Sequence, residues 1–104
     1  MWYDDGMIES RPIDMLRVHA DAIRVHGATS LYVFGSRARG DHAADSDLDV
    51  FVEYDPDQSF SLFNLVRIKR AIETVTGLRA DVTTRDSLRA ESRGEIEAQA
   101  IRVF

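Results

Sequence analysis

Apolar residues recur along the chain with two different periods, and the changes between them lay out the elements. Leu31 to Phe34 and Val50 to Val52 are short, β-prone runs on either side of a polar loop, which predicts a strand over 29–34, a loop, and a strand over 48–54. Ahead of them, Ile13, Leu16, Ala20 and Ile23 fall three and four apart. With Pro12 suited to a first turn and Gly27 to the position after a last one, this predicts a helix over 12–26. Leu65, Ile68, Ile72 and Val75, with Leu62 one turn earlier, predict a second helix over 61–76 that stops at Gly77. Leu78, Ala80 and Val82 then alternate with Arg79, Asp81 and Thr83 as in a third strand over 78–83. Thr84 suits the N-cap of a short helix around 86–90. A helical turn follows near 95–99, and Ile101 and Val103 alternate as in a short last strand with a packed end. Asp55-Pro56-Asp57 is a turn by composition. These elements add up to an α/β domain with a mixed, largely antiparallel sheet of about four strands, covered by helices on one face. Residues 1–9 lack periodicity and read as a flexible lead or a short docking segment, with Trp2 and Tyr3 packed against the domain.

Composition narrows the class. The 104 residues suit one domain, 1–104, which buries roughly 65% of the surface its unfolded chain exposes. With 44% hydrophobic and 30% charged residues, the balance is that of a soluble globular protein. There are no cysteines, so disulfides and thiolate metal sites are excluded and a reducing compartment is allowed. A net charge of −5 argues against tight, unspecific binding to nucleic acid and favours a protein or small-molecule partner. No stretch has the length of a membrane span, and the N-terminus lacks the pattern of a signal peptide, so the expected location is the cytoplasm.

The chemistry is concentrated in the loop between the first two strands. Asp47 and Asp49 sit two residues apart at the start of a strand, so their carboxylates project to one side while Leu48, Val50 and Val52 project into a core. Like charges placed side by side repel, and one pKa rises, unless a cation lies between them. Magnesium suits the place, because it takes hard oxygen ligands and is held by one or two carboxylates plus the phosphates of a substrate, which in turn implies a nucleotide. Gly35 permits a close backbone approach or a positive φ. Ser36 suits capping the following turn and donating to a phosphate oxygen. Arg37 and Arg39 add positive charge against the phosphates. Asp41 and Asp45 lack the strand alternation and read as loop surface, and His42 as a solvated loop residue.

Two other loop readings fail on single positions. Gly35 to Gly40 has the spacing of a Walker phosphate loop, but Asp41-His42 stands where Lys-Ser/Thr is needed. Asp45, Asp47 and Asp49 imitate the first ligands of a calcium loop, but its turn glycine would be Val50 and its twelfth-position glutamate Pro56. Elsewhere, His19 and His26 read as surface residues, and the Arg67, Lys69, Arg70 cluster as a solvated helix face.

Gly35-Ser36, ten intervening residues, then Asp47-Leu48-Asp49 resembles the signature of the DNA-polymerase-β-type nucleotidyltransferase superfamily. The fuller Gly-Ser-Arg-Ala-Arg-Gly followed by Ser-Asp-Leu-Asp is similar to its minimal nucleotidyltransferase branch, the antitoxin half of modules whose toxin is a HEPN-domain ribonuclease. The resemblance implies the nucleotidyltransferase fold and ATP-dependent transfer of AMP to a tyrosine of that toxin, in a hetero-oligomer with it. It also implies a third acidic residue on a later strand, which Asp81 supplies; two magnesium ions are then expected, with Asp81 a candidate to accept the proton of the attacking hydroxyl. Two alternatives stay open: an antitoxin that neutralises its toxin by binding alone, and nucleotidylation of a small molecule, for which relatives usually carry a further substrate-binding domain.

Overall fold

The computed structural model describes the backbone of residues 5–104 and the side chains of residues 11–104. The packing expected for Trp2 and Tyr3 lies outside the described residues. In chain order the elements are α1 (Asp5–Val18), α2 (Ala20–Arg24), β1 (Ala28–Phe34), α3 (Ser36–Arg39), β2 (Leu48–Tyr54), α4 (Leu62–Thr76), β3 (Ala80–Thr84), a 3-10 turn (Arg85–Ser87), α5 (Ala90–Gln99) and β4 (Ile101–Arg102). The strands form one sheet in the order β3-β2-β1-β4. β1 is antiparallel to both β2 and β4, while β2 and β3 run parallel. That parallel pair follows from the chain itself, since α4 supplies the long crossover that two parallel neighbours need.

The strand alternation sorts the residues as the sequence predicts. Leu31 and Val33 of β1 and Leu48, Val50 and Val52 of β2 join Leu16, Ile23, Ile68 and Ile72 in one core beneath α1, α2 and α4. The opposite face carries Tyr32, Phe34, Asp49, Phe51 and Glu53. Tyr32 and Phe51, opposite each other in the ladder, stack at 4.7 Å between ring centroids.

Several boundaries move. The first helix starts at Asp5, not at Pro12, which lies inside it; an interior proline loses one backbone donor and crowds the carbonyl four residues back, a cost this helix bears. The helix breaks at His19, whose backbone leaves the helical region (φ −105°, ψ 27°), and resumes as α2 so that Ala20 and Ile23 still reach the core. α4 begins as predicted, its N-cap N–H at Ser61 donating to Asn64 Oδ1 at 2.9 Å, and it ends at Gly77 with φ 72°. Leu62 nonetheless points to solvent at 73% exposure, because the first turn lies at the margin of the stripe centred on Ile68 and Ile72. Thr84 stands at the N-cap position of a 3-10 turn, its hydroxyl bonded to Ser87 Oγ at 2.7 Å, in place of the short helix expected over 86–90.

α5 spans ten residues where only a turn near 95–99 is predicted. Its sequence has no apolar stripe, and polar contacts seat it: Arg85 Nε donates to Glu97 Oε2 at 2.6 Å, and Arg93 Nη2 donates to the carbonyls of Asp86 and Leu88. Because Arg85 also bonds Glu53, α5 meets the sheet from the side of Tyr32 and Phe51. β4 and the residues after it close the other edge, with Val103 N–H donating to Leu31 O at 2.8 Å. Among the described residues, no helix is long and apolar enough to cross a membrane.

Candidate active site

Asp49 is the centre of the site, and the ladder determines its neighbours. It lies opposite Phe34 of β1 and opposite Asp81 of the parallel strand β3, so the carboxylates of Asp49 and Asp81 share one face of the sheet. Asp47, one residue before β2, stands close enough to act on Asp49 electrostatically. The Asp49 carboxyl is raised above the ordinary carboxylate range, first by burial, then by the negative charges of Asp81 and Asp47, against a smaller lowering by Arg39. This is the repulsion that the paired spacing predicts.

Gly35 is required on two counts. Its φ is +73°, and a Cβ built on it would lie 2.5 Å from Asp49 Oδ2. The turn after β1 thus passes directly against the central carboxylate. Gly35, not Ser36, is the N-cap of α3, and its carbonyl accepts from Ala38 and Arg39 N–H at 3.1 Å. Ser36 is therefore the first helical residue instead of the cap. Arg37 turns back onto the loop: its Nε and Nη2 donate to Ser46 O at 3.0 and 2.9 Å, and Nη2 also donates to Ala44 O. Those donors hold the chain that leads into Asp47. Arg39 pairs with Asp41 at 3.0 Å, and its charge still reaches Asp49. Asp47 Oδ1 lies 3.9 Å from Arg79 Nε, a long and exposed pair.

Two expectations need correction. His42 is half-buried, not solvated, with Nδ1 out of water and without a hydrogen-bond partner among the described residues; it faces a cleft of about 400 Å³ with Pro12, Met15 and Leu78. Lys69, read as part of a solvated cationic face, is tied to Glu73 and to the backbone of β3. Sequence reasoning also did not single out Glu73, whose i,i+4 spacing to Lys69 is visible but whose reach to Ala80 is not. Asp41 and Asp45 lie exposed in the loop, as expected.

Among the described residues, no three or more His, Cys, Asp and Glu side chains stand close enough to hold a metal by themselves. The donor set still fits magnesium, whose shell is completed by substrate phosphates and water, because the carboxylates supply hard oxygens and the raised Asp49 marks negative charge that a cation relieves.

A mixed sheet with carboxylates grouped on the face turned away from α1, α2 and α4, and a glycine-serine turn pressed against the central one, defines a nucleotidyltransferase-type domain. The chain belongs to the nucleotidyltransferase domain family, whose model matches residues 17–103. It is 36% identical over 79 residues to a Methanocaldococcus jannaschii protein whose name proposes protein adenylyltransferase activity, an overlap covering 76% of this chain and 83% of the relative. A solved structure described as a candidate minimal nucleotidyltransferase matches with a TM-score of 0.69 and 32% identity, covering 96% of both chains. A chain of the complex between a tri-AMPylated Shewanella oneidensis HEPN toxin and MNT antitoxin matches with a TM-score of 0.61 at 12% identity, covering 88% of this chain and 71% of that one. That last likeness speaks for the fold alone.

Proposed function

We propose that this protein transfers AMP from ATP to a tyrosine hydroxyl of a HEPN-domain ribonuclease toxin and so acts as its antitoxin, in the cytoplasm and in a hetero-oligomer with that toxin. The observation that carries the proposal is the juxtaposition of Asp49 and Asp81 across β2 and β3, with Asp47 beside them and Gly35 against Asp49, in a chain of the nucleotidyltransferase family. The name of the Methanocaldococcus jannaschii relative supports an adenylyl group as what is transferred, and the AMP-modified toxin in the Shewanella complex is the pattern for a HEPN toxin as acceptor.

In the proposed reaction Asp47, Asp49 and Asp81 hold magnesium, expected as two ions. The chemistry bound magnesium supplies is neutralisation of the triphosphate and activation of the attacking hydroxyl. Gly35 lets the triphosphate approach the backbone closely, and the Ser36 hydroxyl donates to a phosphate oxygen. Arg39, whose charge already reaches Asp49, helps neutralise the leaving pyrophosphate. Arg37 acts at one remove, its guanidinium holding the loop that delivers Asp47. The Asp81 carboxylate accepts the tyrosine proton as the new bond from tyrosine oxygen to the α-phosphorus forms and the bond to the bridging oxygen of pyrophosphate breaks.

Incubation with labelled ATP, magnesium and the cognate toxin tests this. Label on the toxin, lost with Asp47→Asn/Asp49→Asn, is the expected result. An unlabelled toxin, or equal labelling by the variant, overturns it. Neutralisation of the toxin only at equal stoichiometry supports a binding antitoxin in its place.

A further inference from the structure

The sheet edge beside Asp81 is closed by two side chains from α4. β3 pairs with β2 alone, and Leu48 N–H donates to Arg79 O at 2.8 Å. In a parallel ladder the backbone groups of alternate residues turn to opposite sides, so the N–H and C=O of Ala80 face outward, where among the described residues no strand follows. Both outward groups are taken up. Ala80 N–H donates to Glu73 Oε2 at 2.9 Å, and Lys69 Nζ donates to Ala80 O at 2.6 Å and to Glu73 Oε2 at 2.7 Å. The Glu73 carboxyl is held below the usual range by Lys69 and then by the Ala80 N–H. An ion pair at i,i+4 on α4 thus occupies the place of a further strand at one residue.

That residue is the one before Asp81. Ala80 points into the core at 2% exposure, so Asp81 points to the other face, opposite Asp49. An edge strand with unpaired groups frays readily, and fraying at Ala80 carries Asp81 away from Asp49. We propose that Lys69 and Glu73 are positioning residues for nucleotidyl transfer, which hold Ala80 by both of its backbone groups and thereby fix the Asp81 carboxylate beside Asp49. The inference rests on the AMP-transfer reading above and adds to it two residues that touch neither nucleotide nor metal.

Amide exchange by NMR and AMP transfer from ATP to the cognate toxin, measured side by side, test it. The set comprises Glu73→Ala, Glu73→Gln, Lys69→Met, Lys69→Arg and the double variant Lys69→Met/Glu73→Ala. With Glu73→Ala, exchange of the Ala80 amide is expected to rise about tenfold or more while β1 and β2 amides stay protected. For Glu73→Ala and Lys69→Met, kcat is expected to fall roughly ten- to a hundredfold with a much smaller rise in KM for ATP, since the displaced carboxylate is the one placed to take the proton of the attacking hydroxyl. Glu73→Gln keeps an acceptor oxygen and Lys69→Arg a donor, so both recover most of the loss. The double variant falls within about threefold of the worse single one, because the pair acts as one unit.

Unchanged kcat in folded Glu73→Ala and Lys69→Met overturns the inference, and so does a loss that Glu73→Gln fails to relieve and that spreads over every sheet amide. A wild-type protein that transfers no AMP overturns the functional reading. The positioning then stands or falls on the exchange arm, in which an Ala80 amide indifferent to Glu73→Ala overturns it.

Discussion

The face of the sheet turned away from α1, α2 and α4 carries two groups of carboxylates, and among the described residues one of them is closely paired with a cation while the other is not. At one end Arg85 lies between Glu53 and Glu97, at 3.0 and 2.6 Å, with its guanidinium near the rings of Tyr32 and Phe51. There the cation is held in its charged form, chiefly by the hydrogen bonds to Glu97 and Glu53. At the other end Asp47, Asp49 and Asp81 converge with cations only at the margin: Arg79 is 3.9 Å from Asp47, and Arg39 is bonded to Asp41. Burial and mutual repulsion raise Asp49 instead. The same residue chemistry thus makes a joint where the counter-charge is built in, and a cluster of mutually repelling carboxylates where it is left out.

The largest effect expected from breaking this contrast is at Asp49. Asn in its place removes a negative charge but keeps the shape, so on the proposed function AMP transfer should fall by about a thousandfold or more, read as label incorporated into toxin. Thermal melting of the same variant without metal should show no loss of stability and a gain where repulsion is removed. A marked drop in melting temperature would mean that Asp49 is a structural carboxylate like those at Arg85.

Next in size is Gly35→Ala. Its Cβ would meet Asp49 Oδ2 at 2.5 Å with φ at +73°, and the strain of a non-glycine residue there is of order 1–3 kcal/mol. Activity should fall by about tenfold or more, since the carboxylate must move to make room. Full activity with Ala at this position would show that Asp49 tolerates displacement.

Arg85→Met probes the other end. It leaves Glu53 and Glu97 facing each other without their shared cation. Because the side chains are 30–39% exposed, the expected loss is about 1–2 kcal/mol, for two ion pairs and a ring contact together. Urea unfolding measures this, and transfer activity of the folded fraction should be unchanged. A loss of activity without loss of stability would tie this end to the chemistry.

How far this contrast was legible in the sequence depends on the range of the interactions. Asp47 and Asp49 alternate with buried Leu48 and Val50, so their face follows from a period of two, and Asp81 follows from the same rule applied to β3. The neighbourhood of Asp49 and Asp81 needed strand order, which a crossover helix permits but local pattern does not state. Gly35 was legible as a glycine with freedom, but its contact with Asp49 is a meeting of two elements. Local sequence shows only the charge of Arg37 and Lys69, and each is used on backbone carbonyls that no spacing reveals. The full length of α5 has no signal in the sequence because polar joints seat it, and these have no periodicity.

The smallest expected effect is on the pH dependence of stability, and its sign separates the two ends. Asp49 is raised in the folded protein, so below the ordinary carboxylate pKa it is protonated in both states and contributes nothing. As pH rises past that value the unfolded chain releases the proton while the folded one retains it, so stability falls until the raised pKa is passed and stays lower above it. Asp86, lowered by hydrogen bonds from Thr84 and Tyr54, acts in the opposite sense, its stabilisation present above the ordinary pKa and lost in acid. Subtracting the Asp49→Asn curve from that of the wild type, in urea melts over the acid range without metal, isolates the first term. The difference should become unfavourable to the wild type as pH increases. Added magnesium should shrink or reverse it at neutral pH, because a cation favours the charged carboxylate. A difference that instead grows in favour of the wild type on going to neutral pH without metal would place a counter-charge beside Asp49, and the two ends of the face would then be alike.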